Sequence, residues 1–503
     1  MIPLLGLALV AAAQEPVPER AVTYAEALRL SIVNNLSVTQ ARTSRDRAEG
    51  TLVGSQGQFD PFYSLDVNRG RSRTQGFAQG IGVPFTTENN TWQVSNSLNT
   101  TLPTGTDVSV STSTDNNQTT FLALGGNDDL EEDTPGFNAF TTRANVSFTQ
   151  QLLRGVWFRF NVQNVTLARN SLDIAELELE RQRQDALYQA AEAYWNWSFQ
   201  YELWQIALES VRVAEEGLRV GQLQVESGQL AKVEATRLEA ALVQAQQTAI
   251  DAENTAERAA NAVLMVMGQS PDEPVIPATE PGEVPDLVDL DVEQAIEVAM
   301  QQNLDLRLAA MNLDQAELSL SFAKHGRLPT LTATATTGVA SQRCPAGSGN
   351  NDCAEGNAAS TFGGLFDDDR QPFWNVSGNF SVPLGNRAAR GQQFEAEAQR
   401  TQREQELFAQ ERQVAAMVEE QVLTLRSARV QTELADANLR LAVEKLAAEE
   451  ALDAAGRNLR RDVLEARTEL DRAKANAAKA RTDYRLAQAK LLQLQGQLDQ
   501  AAS

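Results

Sequence analysis

The chain uses one unit twice. "EALRLSIVNN" (Glu26–Asn35) and "EQAIEVAMQQN" (Glu293–Asn303) carry the same pattern 268 positions apart: Ala27 falls on Ala295, Leu28 on Ile296, Asn35 on Asn303, Leu36 on Leu304 and Ala41 on Ala309. Farther on, Pro61 falls on Pro329, where both segments stop looking helical. A repeat this long means duplicated supersecondary structure, and the 503 residues then read as two copies of one unit rather than as several unrelated domains.

Proline marks the joints. Residues 136–270 and 384–503 contain none, whereas "PDEPVIPATEPGEVP" (271–285) contains five. A mid-helix proline costs about 3 kcal/mol, so the Pro-free tracts suit long helices and the Pro-rich run an extended linker. The expected order is a first repeat over 23–268, a linker over 269–289 and a second repeat over 290–499. Each repeat opens with a helix (23–57, 290–327) and closes with a very long helical tract (156–268, 386–499), broken near Gly228 and Gly456. Leu187, Ala190, Tyr194, Trp197, Tyr201, Trp204, Leu208 and Val211 recur at steps of three and four, a coiled-coil stripe for helix packing. A helix of some 65 residues is about 95 Å long, roughly three times a bilayer's hydrocarbon core.

Between these helices the period changes to two. "YSLDVN" sets Tyr63, Leu65 and Val67 against Ser64, Asp66 and Asn68; "ANVSFTQ" sets Ala144, Val146 and Phe148 against Asn145, Ser147 and Thr149. The second repeat sets Leu331, Ala333 and Ala335 against Thr332, Thr334 and Thr336, and Trp374, Val376 and Phe380 against Asn375, Ser377 and Asn379. Strands are expected over about 59–72, 140–153, 329–341 and 373–383, with a further hairpin over 91–114 that has no second-repeat counterpart. That hairpin is compatible with widening a barrel, plugging it or projecting from it.

Alternation with aromatics near the strand ends is the pattern of transmembrane barrels. Lipid does not tolerate unpaired backbone groups, and four strands cannot close a barrel. Copies of the chain must complete it; three copies supply twelve strands, and the helices continue below as a coiled-coil barrel by the same symmetry. The expected fold is mostly α with membrane β.

Other features narrow the function. Residues 1–13 read as a signal peptide with an A-x-A-like site, lacking the usual basic n-region, followed by an extension over 14–22; residues 500–503 are a tail. The net charge of -24 argues against nucleic acid as a partner. Cys344 and Cys353 in one exported loop favour a disulfide. With His325 as the single histidine, and without a P-loop, G-x-G-x-x-G or H-E-x-x-H, neither an enzyme nor a cofactor is expected. His325 itself reads as a solvated helix end.

The duplicated order of helix, strand pair, long helix, glycine-marked turn and helix resembles the TolC-type outer-membrane efflux protein family, over nearly the whole chain after residue 22. "FAKHGRLPTLTATATTGV" is similar to the family's helix-to-strand passage, and "FTQQLLRGVW" and "FSVPLGNRAARG" to its strand-to-helix returns. The resemblance implies a homotrimer in outer-membrane lipid reaching into the periplasm. It would serve as the exit duct of a tripartite efflux or type I secretion system, fed by an inner-membrane pump through a periplasmic adaptor (membrane fusion) protein.

By the same resemblance, the glycine-marked turns form the periplasmic tip. "DAAGRNLRRDVLEARTEL" matches the second tip, where Asp462 and Glu465 fall on acidic positions that narrow the pore. "ESGQLAKVEATRLEA" matches the first, with Glu234 at a position that helps hold the closed state. Gly228, Leu230, Lys232, Gly456, Arg457 and Arg461 are the accompanying latch or docking candidates. Where the best-known relatives carry an aromatic and an arginine latch, this chain has Asp453 and Asn458. The reading from another class is an exported trimeric coiled-coil adhesin or envelope spacer, which would lack a through-going pore.

Overall fold

The computed structural model describes residues 20–77, 84–124, 130–134, 138–156, 158–271, 273–279, 291–346, 353–368, 370–455 and 460–498. The expected signal peptide, residues 280–289 of the linker, Gly456, Arg457 and the tail lie outside them.

In chain order the elements are β1 (Arg20–Val22), α1 (Tyr24–Asn34), α2 (Leu36–Gln56), a 3-10 turn (Gly57–Phe59), β2 (Phe62–Phe77), β3 (Pro84–Leu102), β4 (Thr106–Leu124), β5 (Leu130–Thr134) and β6 (Asn138–Gln151). Then come α3 (Phe158–Asn161), α4 (Gln163–Glu226), α5 (Lys232–Val266), β7 (Val275–Pro277), α6 (Val292–Gln302) and α7 (Leu304–Gly326). The chain ends with β8 (Thr330–Arg343), α8 (Ala358–Gly363), β9 (Gln371–Ser381), α9 (Arg387–Ala454) and α10 (Arg460–Leu494). Among the described residues no helix is long and apolar enough to cross a membrane. Spatial contacts divide the chain into a mainly helical unit (residues up to 47, 173–313, and 403 onward) and a unit that holds the large sheet (48–172 and 314–402).

In the helical unit the repeat is visible atom by atom. Thr23 Oγ1 accepts from the Glu26 N–H at 3.2 Å, and Asp291 Oδ1 from the Glu293 N–H at 3.1 Å, each capping its helix. The helices expected to run unbroken over 23–57 and 290–327 both break, at the equivalent Asn35 (ψ 130) and Asn303 (ψ 127). The two side chains accept from Ser37 N–H at 2.8 Å and Leu306 N–H at 3.1 Å, so each asparagine ends one helix and caps the next. Beside the breaks, Asn34 Nδ2 donates to Met267 O and Asn303 Nδ2 to Leu494 O, tying each opening pair to the end of its own long tract.

The linker is not only a spacer. Val275, Ile276 and Pro277 pair in parallel with Arg20, Ala21 and Val22, the last residues of the N-terminal extension. Proline at the end of β7 is tolerated because it sits on a two-stranded edge.

Three cores hold the helices. The first gathers Val22, Leu28, Leu187, Tyr194, Trp197, Val263 and Met267. A second is built from Val414, Val418, Val422, Leu425 and Tyr484, and a third from Ala442, Leu446, Ala466, Leu470 and Ala473. The coiled-coil stripe on α4 is core only along its first half. Leu187, Ala190, Tyr194 and Trp197 are buried, Tyr201 and Trp204 half-buried, and Leu208 is exposed.

The sheet unit changes the expected strand count. The path runs β2-β3-β4-β6-β8-β9, every pair antiparallel, with β5 continuing the β6 side of β4. The hairpin expected over 91–114 is longer (84–102 and 106–124) and lies within the sheet, between β2 and β6. The chain therefore holds six strands along the path, not the four expected. Alternation had identified the face of each strand, while its neighbours are chosen by hydrogen bonds that leave no trace in one strand's pattern. Residues 57–59, partly assigned to the first strand, form the 3-10 turn that leads into it.

Candidate pore wall and helical tip

The wall is built from the strands' two faces. Register pairs place Tyr63, Leu65, Val67, Val94, Leu98, Val108, Val110, Val146, Phe148, Ala335, Val376 and Phe380 together on one face. On the other stand Ser64, Asp66, Ser95, Ser97, Ser109, Ser111, Asn145, Ser147, Thr334, Thr336, Asn375 and Ser377. Large apolar side chains on the first face lie open: Val67 at 71%, Val376 at 67%, Phe380 at 61%, Leu98 and Phe148 at 48%. A contiguous apolar face of this size in water marks a binding or membrane surface.

The apolar zone is a band, not a whole face. Above Val67 and Val94 come Arg69 and Trp92, then Arg71 and Arg73, both paired to Glu88 at 2.6 Å. Along β3 and β6 the band ends at Trp92 and Phe140, whose rings meet edge-to-face at 6.4 Å, and Phe148 stands toward the other end of β6; on β9 it runs between Trp374 and Phe380. Aromatic borders around an apolar belt are the arrangement of lipid-facing barrels.

Cys344 and Cys353 form a disulfide with Cα atoms 5.7 Å apart. It clips the loop that leads into α8, whose Thr361, with Leu365 just beyond, is buried against the sheet near Thr142 and Ser341. His325 is not a solvated helix end. It packs on Phe160 with ring centres 4.7 Å apart, its Nε2 accepts from the Gly155 N–H, and burial pushes its pKa down.

The first glycine-marked turn lies between α4 and α5. Gly228 takes φ +75, and the Gln229 and Leu230 N–H groups reach back to Gln224 O at 2.8 and 3.1 Å, the helix-ending geometry that glycine favours. Leu230 is half-buried and Lys232 exposed; Glu234 pairs within its own helix with Arg237 at 2.7 Å. Gly221 escaped the sequence reading: a Cβ there would lie 2.4 Å from Leu238 Cδ1, so this glycine lets α4 and α5 close upon each other. Its signal was position, a glycine one to two turns before a turn glycine.

At the second turn, Asp462 and Glu465 sit on the first turns of α10, Asp462 half-buried and Glu465 exposed. The backbone of Arg461 opens the same helix. The two hairpins meet farther along. Arg467 reaches Glu209 at 2.9 Å and Ser210 donates to Asp471 at 2.6 Å, joining α10 to α4. Arg212, through its hydrogen bonds, and then Arg467 hold the Glu209 carboxyl down at about 2. A carboxylate lowered from 4.5 adds stability above that pH and loses it as pH falls toward 2. Replacing Glu209 by Gln should flatten the acid limb of the unfolding profile over that window; an unchanged slope would show that the pair contributes nothing there.

Residues 295–497 match the model of the outer membrane efflux protein family. The chain carries an outer-membrane efflux protein domain. An outer-membrane location goes with that domain. Solved channels share the efflux-protein fold across both repeats. The CmeC outer membrane channel of Campylobacter jejuni superposes with TM-score 0.62 at 14% identity, covering 94% of this chain and 86% of that one. The outer membrane protein VceC of Vibrio cholerae gives 0.60 at 14%, covering 94% and 96%. The open-state MtrE outer membrane channel of Neisseria gonorrhoeae gives 0.60 at 15%, covering 99% and 98%. At such identities the likeness is one of fold. Comparison with curated proteins gives no match.

Proposed function

We propose that this efflux protein is the outer-membrane exit channel of a tripartite efflux or type I secretion system, closed as a homotrimer. It conducts passively what an inner-membrane pump delivers through a periplasmic adaptor. The observation that carries the reading is the open apolar face on a sheet whose two end strands, β2 and β9, each have a single neighbour among the described residues. In lipid such edges must be paired, and sibling chains are the partners that preserve the two-faced wall.

At the tip, three copies of Asp462 and Glu465 around one axis would concentrate negative charge, attracting cations and repelling anions. Purified protein in a planar bilayer should conduct with a cation preference, and Asp462→Asn should reduce that preference. An envelope spacer would carry no current. Lys232, exposed at the first turn, and Arg457 supply positive charge for an adaptor. Charge reversal at either should weaken adaptor pull-down, and unchanged recovery would remove that residue from the docking surface.

A further inference from the structure

We infer that the membrane wall has eighteen strands, six from each of three chains, because the β3–β4 hairpin is part of the wall. The count rests on the trimeric reading above; the place of the hairpin rests on the sheet itself.

The first support is connectivity. A single line of hydrogen-bonded partners crosses the whole sheet: Phe62, Asn99, Ser109, Ser147, Thr336, Asn375. β4 is joined to β6 from Thr106–Gln150 to Gln118–Asn138, and β2 is joined to β3 along its whole length. β2 and β6 are not neighbours. A four-strand wall would need that pair, so the hairpin cannot leave the wall without opening it.

Chemistry gives the second support. Over residues 92–102 of β3 and 106–114 of β4 the apolar side chains stay on the apolar side: Leu98 is opposite Tyr63 and Val110, Val94 is opposite Val67, and Val110 is opposite Val146. The other face keeps serine opposite serine, Ser64–Ser97–Ser111 and Ser109–Ser147, and Asp115 is bridged to Arg143 at 3.2 Å. A hairpin standing in water has no reason to hold both faces in step with its neighbours. A strand in a lipid wall has that reason at every second residue.

The third support is parity. Six alternating strands leave β2 and β9 running in opposite directions, so β9 of one copy meets β2 of the next antiparallel, as the rest of the wall does. Both edges present the apolar face, Tyr63, Leu65 and Val67 on one and Trp374, Val376 and Phe380 on the other. Six strands alone cannot close, because about eight is the practical minimum. The occupant of each edge is therefore a second copy of this chain.

The consequence is a wider exit. Barrel diameter grows roughly linearly with strand number, and walls of about 16–18 strands leave an open aqueous channel. Their lumen is lined here by Ser, Thr and Asn. Any narrowing then belongs to the helices, and the wall would pass cargo too bulky for a twelve-strand barrel.

The test labels the hairpin in native outer membranes, where Cys344 and Cys353 are already paired. Ser95→Cys and Ser111→Cys should react with a water-soluble maleimide about tenfold faster than Val94→Cys and Val110→Cys, whose thiols would sit in lipid. Electron cryomicroscopy of the same protein should count eighteen wall strands. Equal labelling at both parities, with a twelve-strand wall and a projecting hairpin, would overturn the inference and leave the channel reading standing. Absence of any closed multichain wall would overturn both.

Discussion

Val146→Arg will cost the assembled wall about 2–4 kcal/mol, the depth-dependent penalty for a guanidinium near the bilayer midplane. Val146 lies mid-band on β6, opposite Val110 on one side and Thr337 on the other. Its neighbour Ser147 points to the polar face, opposite Ser109 and Thr336. Ser147→Arg should therefore stay within about 1 kcal/mol, because its charge meets water in the lumen. Reversible urea unfolding from lipid vesicles reads both values. Equal costs would mean that the two faces see the same solvent, and the lipid assignment of the apolar face would fall.

The other large effect is expected in the helical unit. Trp197 is 1% exposed and meets Tyr194 edge-to-face with ring centres 5.7 Å apart. Tyr194 in turn donates its hydroxyl to Val22 O at 3.1 Å and accepts from the Thr279 N–H at 2.9 Å. Those bonds hold the N-terminal strand and the start of the linker on α4, so the aromatic pair supports the place where the two repeats are joined. Trp197→Ala should destabilise by about 3–5 kcal/mol, the range for deleting a buried large aromatic side chain. Tyr194→Phe keeps the ring and strands the Thr279 N–H, while Val22 O keeps its bond from the Ala278 N–H, and should cost about 1–3 kcal/mol. Because the rings touch, the double variant should depart from additivity. Denaturant midpoints measure all three; a Trp197→Ala change below 1 kcal/mol would show that this cluster is not the anchor.

Much of this architecture was legible in the sequence because its signals are local and repeated. The 268-residue shift, the Pro-free tracts and the period-two stretches each report on a few residues at a time. The hairpin over 91–114 was readable for the same reason. What escaped depends on distant partners. The strand next to β2 is decided by pairing across the sheet, and nothing in "YSLDVN" says whether β3 or β6 lies beside it. The β1–β7 pairing was hidden because a Pro-rich run reads as linker, although three residues sufficed for a parallel edge. The breaks at Asn35 and Asn303 were readable in principle, since an asparagine ahead of a renewed helical pattern is a cap signal.

The turn between α4 and α5 was located by Gly228, while the wiring around it was not. Glu234 turns to Arg237 on its own helix, and α10 meets α4 through Arg467 and Glu209 instead. Ion pairs between helices depend on which faces meet, and the charge pattern of one helix does not fix that.

Native mass spectrometry of the protein released from outer membranes in mild detergent asks directly whether sibling chains finish the wall. The account predicts three copies that stay together and precipitate once detergent is withdrawn. A single chain that remains dissolved in plain buffer would contradict it.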